Sequence, residues 1–297
     1  MAYNSTGLIV HDADAHIMET PHWLRDHADA AIRDRLEKLS YPGGNELVQS
    51  AVLVEDQADL DRGFERLAEQ HRSEEYRAAE EAELMSRKNF AATGSFLAED
   101  RPRVLDMLGF ASQLVFNTFH NALLRDWEHG GDIEFAIGAA RAHNRGMAEF
   151  CSVDSRLLST LYVPLADIDR APALAREAIE MGAIWVPSWM RQMESAMDAF
   201  SRHEERLQNL SMRPSDYVKR QMRFTPYPTE DVGWIIEQAG SEIPMFSSDY
   251  PHVEGGRRPI ERFERSLEGC SSAAREAFYH HNFADLMGGR LDVVLAA

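Results

Sequence analysis

Cysteine is almost missing from this chain of 297 residues: Cys151 and Cys270 stand far apart and outside any CxxC pair. That argues against a disulfide framework and a thiolate zinc site, and it fits a reducing, cytoplasmic setting. Lysine is scarce too, confined to Lys38, Lys88 and Lys219, and there is no polybasic patch. Lys and Arg together number 31 against 49 Asp and Glu, a formal charge of −18. A field of that sign repels phosphate backbones and anionic lipid surfaces, so neither nucleic acid nor a membrane is an expected partner. No apolar run approaches the roughly 18 residues of a membrane-spanning helix. The opening residues 1–14 lack a basic segment followed by an apolar stretch, so no secretory leader is expected.

What remains is ordinary globular material. Hydrophobic residues make up 44% and charged residues 27%, enough apolar surface to fill a core. Short apolar runs alternate with helical patterns along the whole chain. Residues 8–14 read as a strand, with Thr20 and Pro21 as the cap and first residue of a helix. The charge-dense stretch of about residues 55–90, with Leu60, Phe64 and Leu67 at helical spacing, reads as a helical insertion with a solvated face. Ser112–Phe116 and Leu157–Val163 read as strands around a long amphipathic helix over 131–150. Helices are expected over 168–181 and 189–209, and strands over 183–186, 222–225 and 243–248. Thr229 reads as a helix cap, and two helices close the chain. Such alternation implies a parallel α/β fold, and no linker divides it, so a single domain over 1–297 is expected. About six strands can be counted, short of the eight of a closed (β/α)8 barrel.

Two clusters carry candidate chemistry. In His11–His16 (HDADAH), strand alternation places Asp12, Asp14 and His16 on one face. Two carboxylates and an imidazole suit a divalent cation, and the plain alternative is a polar turn into the next helix. Glu19 follows closely. In Phe246–His252 (FSSDYPH), Asp249 stands at the tip of an apolar strand, where an acid can bind metal, accept a proton, or simply cap a turn before Pro251. First and last strands are neighbours in a closed barrel, so Asp14, His16 and Asp249 would reach one ion there. His120 and His143 could line such a site or be satisfied core or surface histidines. Arg223 could face a substrate carboxylate or form a structural ion pair. The DxD start also superficially matches haloacid-dehalogenase-type phosphotransferases. Those carry Thr or Val where His16 stands, and their later lysine has only Lys219 as a remote counterpart.

With these residues in view, the chain resembles the amidohydrolase-related metal-dependent hydrolases, the group that includes aminocarboxymuconate-semialdehyde decarboxylase and the resorcylate-type decarboxylases. The resemblance runs through DADAHIMETP (12–21), GSFLAEDRPRVLDMLGF (94–110), QLVFNT (113–118), the segment 139–165, WVPSWMRQM (185–193), the segment 211–240, FSSDYPHVEGG (246–256) and NFADLMG (282–288). It implies a (β/α)8 barrel holding one divalent metal ion, zinc first and manganese second. The implied reactions are hydrolysis of C–N or C–C bonds, or decarboxylation of a small carboxylate-bearing, aromatic or cyclic substrate. Asp14 and His16 match the first-strand metal pair, Asp249 the last-strand acid that binds metal and handles protons, Glu19 the terminal acid of the first motif, and His252 the end of the DYPH signature.

One departure from the family is large. Residues 181–184 join segments that the family separates by strands, one of which carries a metal-binding histidine. A βα unit takes about 30 residues, so the barrel is expected to be incomplete, with about two staves missing. The expected function is a metal-dependent hydrolase or decarboxylase. The alternative is a catalytically impaired deletion variant acting as a binding or assembly protein, whose exposed strand edges favour homo-oligomers.

Overall fold

A computed structural model of the chain describes residues 3–39, 41, 60–162, 164, 183, 186–288 and 291. The chain divides into two compact units, one of Met1–Tyr3, Asp14–Glu177 and Asp249–Arg257, the other of Asn4–Ala13, Ala178–Ser248 and Arg258–Ala297.

A three-stranded sheet has the order β1 (His11–His16), β2 (Ser112–Phe116), β3 (Leu157–Ser159); β2, β3 and the Asp14–His16 end of β1 belong to the first unit, and His11–Ala13 to the second. β2 and β3 run parallel, with Gln113 opposite Leu157 and Val115 opposite Ser159. A parallel pair needs a long crossover, here the helices His120–Glu128 and Ile133–Cys151. The second of these begins where the Asp132 side chain accepts the Phe135 N–H at 3.0 Å. It buries Phe135, Ala139, Ala142, His143, Gly146 and Phe150, a helical stripe of which half is Ala or Gly. Gly146 is required by close packing, because a Cβ there would lie 2.7 Å from the Trp23 ring.

The charge-dense stretch is helical at Leu60–Arg72, Glu74–Ala78 and Glu80–Glu83. Leu60, Phe64 and Leu67 point inward against Met18, Leu39, Tyr41 and Phe90. The buried Arg101 braces the end of β1. Its Nη1 donates to the His16 carbonyl at 3.1 Å and to the Gly94 carbonyl at 3.2 Å, and its Nε donates to Gln113 Oε1 at 3.0 Å. A buried guanidinium is tolerable only with such acceptors. On the other edge of β1, Ala15 bridges Tyr250 in parallel, and the Asp249 N–H donates to the Asp14 carbonyl at 2.9 Å.

In the second unit the helices Val186–Phe200, Pro214–Gln221 and Val232–Ala239 share a core of Val186, Met190, Val218, Phe224, Ile235 and Ile243. Gly233 lets the last of these approach helix Pro259–Ser266, since a Cβ would come within 2.1 Å of the Ser266 carbonyl oxygen.

Several elements differ from the sequence reading. The first helix is Trp23–His27, without a side-chain cap; Thr20 instead accepts the Trp23 N–H through its carbonyl at 3.1 Å. Val186 and Pro187 begin a helix rather than end a strand, in keeping with proline's fitness for a first turn. Asp231, not Thr229, caps the helix at 232, accepting the Trp234 N–H at 3.0 Å.

Residues 222–225 and 243–248 form no regular strand: they meet at one parallel bridge, Phe224 to Pro244. Pro244 has no N–H to continue a ladder, and the Phe246 N–H turns to the Phe278 carbonyl at 2.9 Å. The expected helix over 168–181 and the junction at 181–184 lie outside the described residues, apart from Ala183. Its N–H donates to Glu230 Oε2 at 2.9 Å. No described helix is long and apolar enough to cross a membrane.

Candidate metal centre

The first unit brings together Asp14 and His16, at the C-terminal end of β1, with Asp249 and His252. His16, Asp249 and His252 each offer one ligand atom, and the three atoms lie within 4.8 Å of one another. His16 and Asp249 are buried, and His252 is partly buried. The two imidazoles stack with ring centroids 3.9 Å apart. Asp249 adopts φ +51°, a left-handed conformation that aspartate tolerates better than most residues. The bend closes a turn in which the His252 N–H donates to the Asp249 carbonyl at 2.7 Å. Asp249 Oδ1 then lies 3.1 Å from His252 Nδ1 and 3.7 Å from His16 Nε2, and Asp14 Oδ1 lies 3.0 Å from His16 Nε2.

His16 Nδ1 is 3.1 Å from the Asn117 carbonyl, which can only accept, so Nδ1 carries a hydrogen. The Thr118 hydroxyl faces the Ile17 carbonyl at 2.6 Å and the Met18 sulfur at 3.7 Å, both acceptors, so its hydrogen is committed to them. Thr118 Oγ1 must therefore accept from His252 Nε2, 2.9 Å away. In their neutral forms both rings thus present lone pairs, His16 through Nε2 and His252 through Nδ1, to the carboxylates of Asp14 and Asp249. A lone pair facing a carboxylate at hydrogen-bond distance needs a positive charge between them, a proton or a cation. Two imidazoles and a carboxylate with outer hydrogen bonds fixing the rings make a donor set that fits a divalent ion such as zinc or manganese.

Asp12 shares the strand face of Asp14 but lies in the second unit, where its carboxylate accepts from the Ser248 N–H at 2.8 Å and the Ser248 hydroxyl at 2.5 Å. Arg223, also in the second unit, forms the structural pair, with Nη2 2.5 Å from Asp285 Oδ2. His120 and His143 are buried in the first unit and fall outside the three-residue group. His120 Nδ1 is 3.1 Å from Glu19 Oε1.

Burial alone would raise the Glu19 pKa. The His120 bond and backbone donors outweigh it and hold the carboxyl down at about 2. Burial pushes the His143 imidazole down to about 4, so it is neutral at pH 7. The buried Cys151 thiol is raised to about 12 and stays protonated.

Three residues with a place at this site escaped the sequence reading. Asn117 and Thr118 hold the two rings, and their signal was the polar pair directly after an apolar strand, where barrel sites gather. Lys88 Nζ donates to the Gly256 carbonyl at 2.6 Å, and the neighbouring Asn89 N–H donates to the Pro251 carbonyl at 3.0 Å. Burial lowers the Lys88 pKa to about 8 against the favourable charges of Asp249 and Glu254.

No family model and no curated protein matches the sequence. Among solved structures, the chain is similar to an amidohydrolase from Mycobacterium avium subsp. paratuberculosis K-10. The TM-score is 0.64 at 14% identity, covering 96% of this chain and 99% of that one. It also aligns with 5-carboxyvanillate decarboxylase from Sphingomonas paucimobilis over 94% of this chain and 99% of that one. There the identity is 13% and the TM-score 0.32. The first likeness shows that the chain has the fold of an amidohydrolase.

Proposed function

We propose that the chain is a metal-dependent enzyme of the amidohydrolase type, hydrolysing or decarboxylating a small carboxylate-bearing aromatic or cyclic substrate. The observation that carries this reading is the convergence of His16, Asp249 and His252, with both ring lone pairs turned toward carboxylates. A divalent ion held there, zinc first and manganese second, would supply Lewis acidity toward a substrate oxygen or a water. Asp249 has a further oxygen and lies at the chain bend, so it is the group that accepts or returns a proton at the reacting atom. Lys88 brings a positive charge near Asp249, which suits a substrate carboxylate. The second imidazole that the shortened barrel was expected to lack comes in this reading from His252, not from His120 or His143.

The test is elemental analysis of the purified chain after gel filtration, beside Asp249→Ala. About one zinc or manganese per chain, lost in the variant, is the expected result, since three protein ligands are the usual set of a catalytic site. A folded parent that carries no metal and takes up none from solution would overturn the enzymatic reading. The chain would then be a binding or assembly protein, and its elution volume would report any homo-oligomer.

A further inference from the structure

We infer that Glu19 is the positioning residue of this centre: its buried carboxylate shapes the turn at 117–120, and that turn supplies the outer hydrogen-bond partner of each imidazole. The inference rests on the proposed centre for its meaning, but its first test needs no metal.

Glu19 is fully buried. Its carboxylate accepts from the backbone N–H of Thr118 at 3.0 Å, of Phe119 at 3.1 Å through both oxygens, and of His120 at 3.2 Å. His120 Nδ1 adds a contact at 3.1 Å. These N–H groups open the helix His120–Glu128, whose own cap position, Phe119, offers no side-chain cap. A carboxylate from a distant part of the chain therefore satisfies donors that a local Ser, Thr or Asp would ordinarily take, and it meets the positive end of the helix dipole. The Glu19 backbone is itself fastened, because the Tyr41 hydroxyl donates to its carbonyl at 2.7 Å.

The same short turn faces the centre on its other side. Asn117 gives its carbonyl to His16 Nδ1 at 3.1 Å, and Thr118 gives its hydroxyl oxygen to His252 Nε2 at 2.9 Å. One anion thus fixes two rings through one segment of backbone. Glu19 touches neither ring and is not catalytic: it acts on the centre by holding the groups that hold the ligands. Replacing it with glutamine keeps the size but turns an NH2 group toward backbone donors, so the turn loses acceptors it needs.

The test is NMR of metal-free protein labelled with 15N-histidine. The parent should show two protected ring N–H signals, His16 Nδ1–H and His252 Nε2–H, assigned through His16→Gln and His252→Gln. Both hydrogens are present whether the rings are neutral or charged, so the readout does not depend on titration. In Glu19→Gln both signals should be lost while the far-UV spectrum and a cooperative melt persist. Both signals unchanged in a folded Glu19→Gln would overturn the inference. Should that variant not fold, Glu19→Asp keeps the charge but withdraws it by one methylene. Loss of both signals there supports the inference, and their retention overturns it.

A second arm reads zinc affinity by chelator competition, with Glu19→Gln expected to weaken binding roughly 10–100-fold, as loss of outer-shell support does elsewhere. A parent that binds neither zinc nor manganese sinks the proposed function and leaves the ring signals to decide this inference by themselves.

Discussion

Strand β1 carries a histidine at each end, and each stacks on a second histidine from far along the chain. His11 lies against His280 with ring centroids 4.9 Å apart and Nε2 2.9 Å from His280 Nδ1. His16 lies against His252 at 3.9 Å. The pairs look alike as ring contacts and differ in what surrounds them. Burial, with the adjacent His280, lowers the His11 pKa to about 4, and Phe283 also stacks on the ring at 5.2 Å. His11 is therefore neutral, one of the two facing nitrogens donates to the other, and the pair is packing. At the His16 end, Asp14 and Asp249 turn carboxylates toward the ring nitrogens. Acid placement makes the difference: carboxylates beside the imidazoles offer the negative charge that the proposed cation would need.

This contrast can be broken by substitution. The largest effect is expected from exchanging the two ends: His16→Gln should abolish metal uptake, while His11→Gln should leave about one ion per chain. Equal loss in both variants would show that the distinction between the ends is false. Thr118→Val removes one outer partner of His252 and keeps the ring. It should weaken zinc binding roughly tenfold, measured by chelator competition. An unchanged dissociation constant would mean that His252 is not held through Thr118.

The smallest effect concerns pH. His11, His71 and His143 are each lowered to about 4 from an ordinary 6.5, in each case chiefly by burial. The unfolded chain then binds protons that the folded chain refuses. The contribution of these three groups should be level above pH 6.5 and fall as pH drops from 6.5 toward 4. Melting temperatures across that range check it, and His11→Leu should make the slope shallower. Glu19 has the opposite charge type and a lower window: its pKa is depressed from 4.5 to about 2, so its contribution is complete above 4.5 and is lost between 4.5 and 2.

Much of this was legible in the residues. Ser112–Phe116 is a strand to the residue, because a short apolar run with a polar start suits a buried parallel strand. The helix over 131–150 is displaced by one or two residues, to Ile133–Cys151. Leu60, Phe64 and Leu67 do face a core. Short or interrupted strands were harder to read. At 222–225 and 243–248 the local pattern favoured extended backbone, but a regular ladder needs a partner with free N–H groups in register. Asp12 shows the same limit at a side chain. Strand alternation put it beside Asp14, yet the Ser248 hydroxyl and N–H take its carboxylate.

By itself, the sequence determined the chemistry on offer: acids and imidazoles at the ends of apolar runs, a strongly acidic surface, and an alternation of elements that builds an amidohydrolase-like fold. Those properties depend on residue type and on spacing over a few positions, which the chain carries locally. Only the tertiary structure decided which nitrogen of each ring faces a carboxylate, that Asn117 and Thr118 hold the opposite nitrogens, and that Glu19 shapes the turn from which they do so. Hydrogen-bond direction and burial are set by groups a hundred or more residues away along the chain, and no local pattern encodes them.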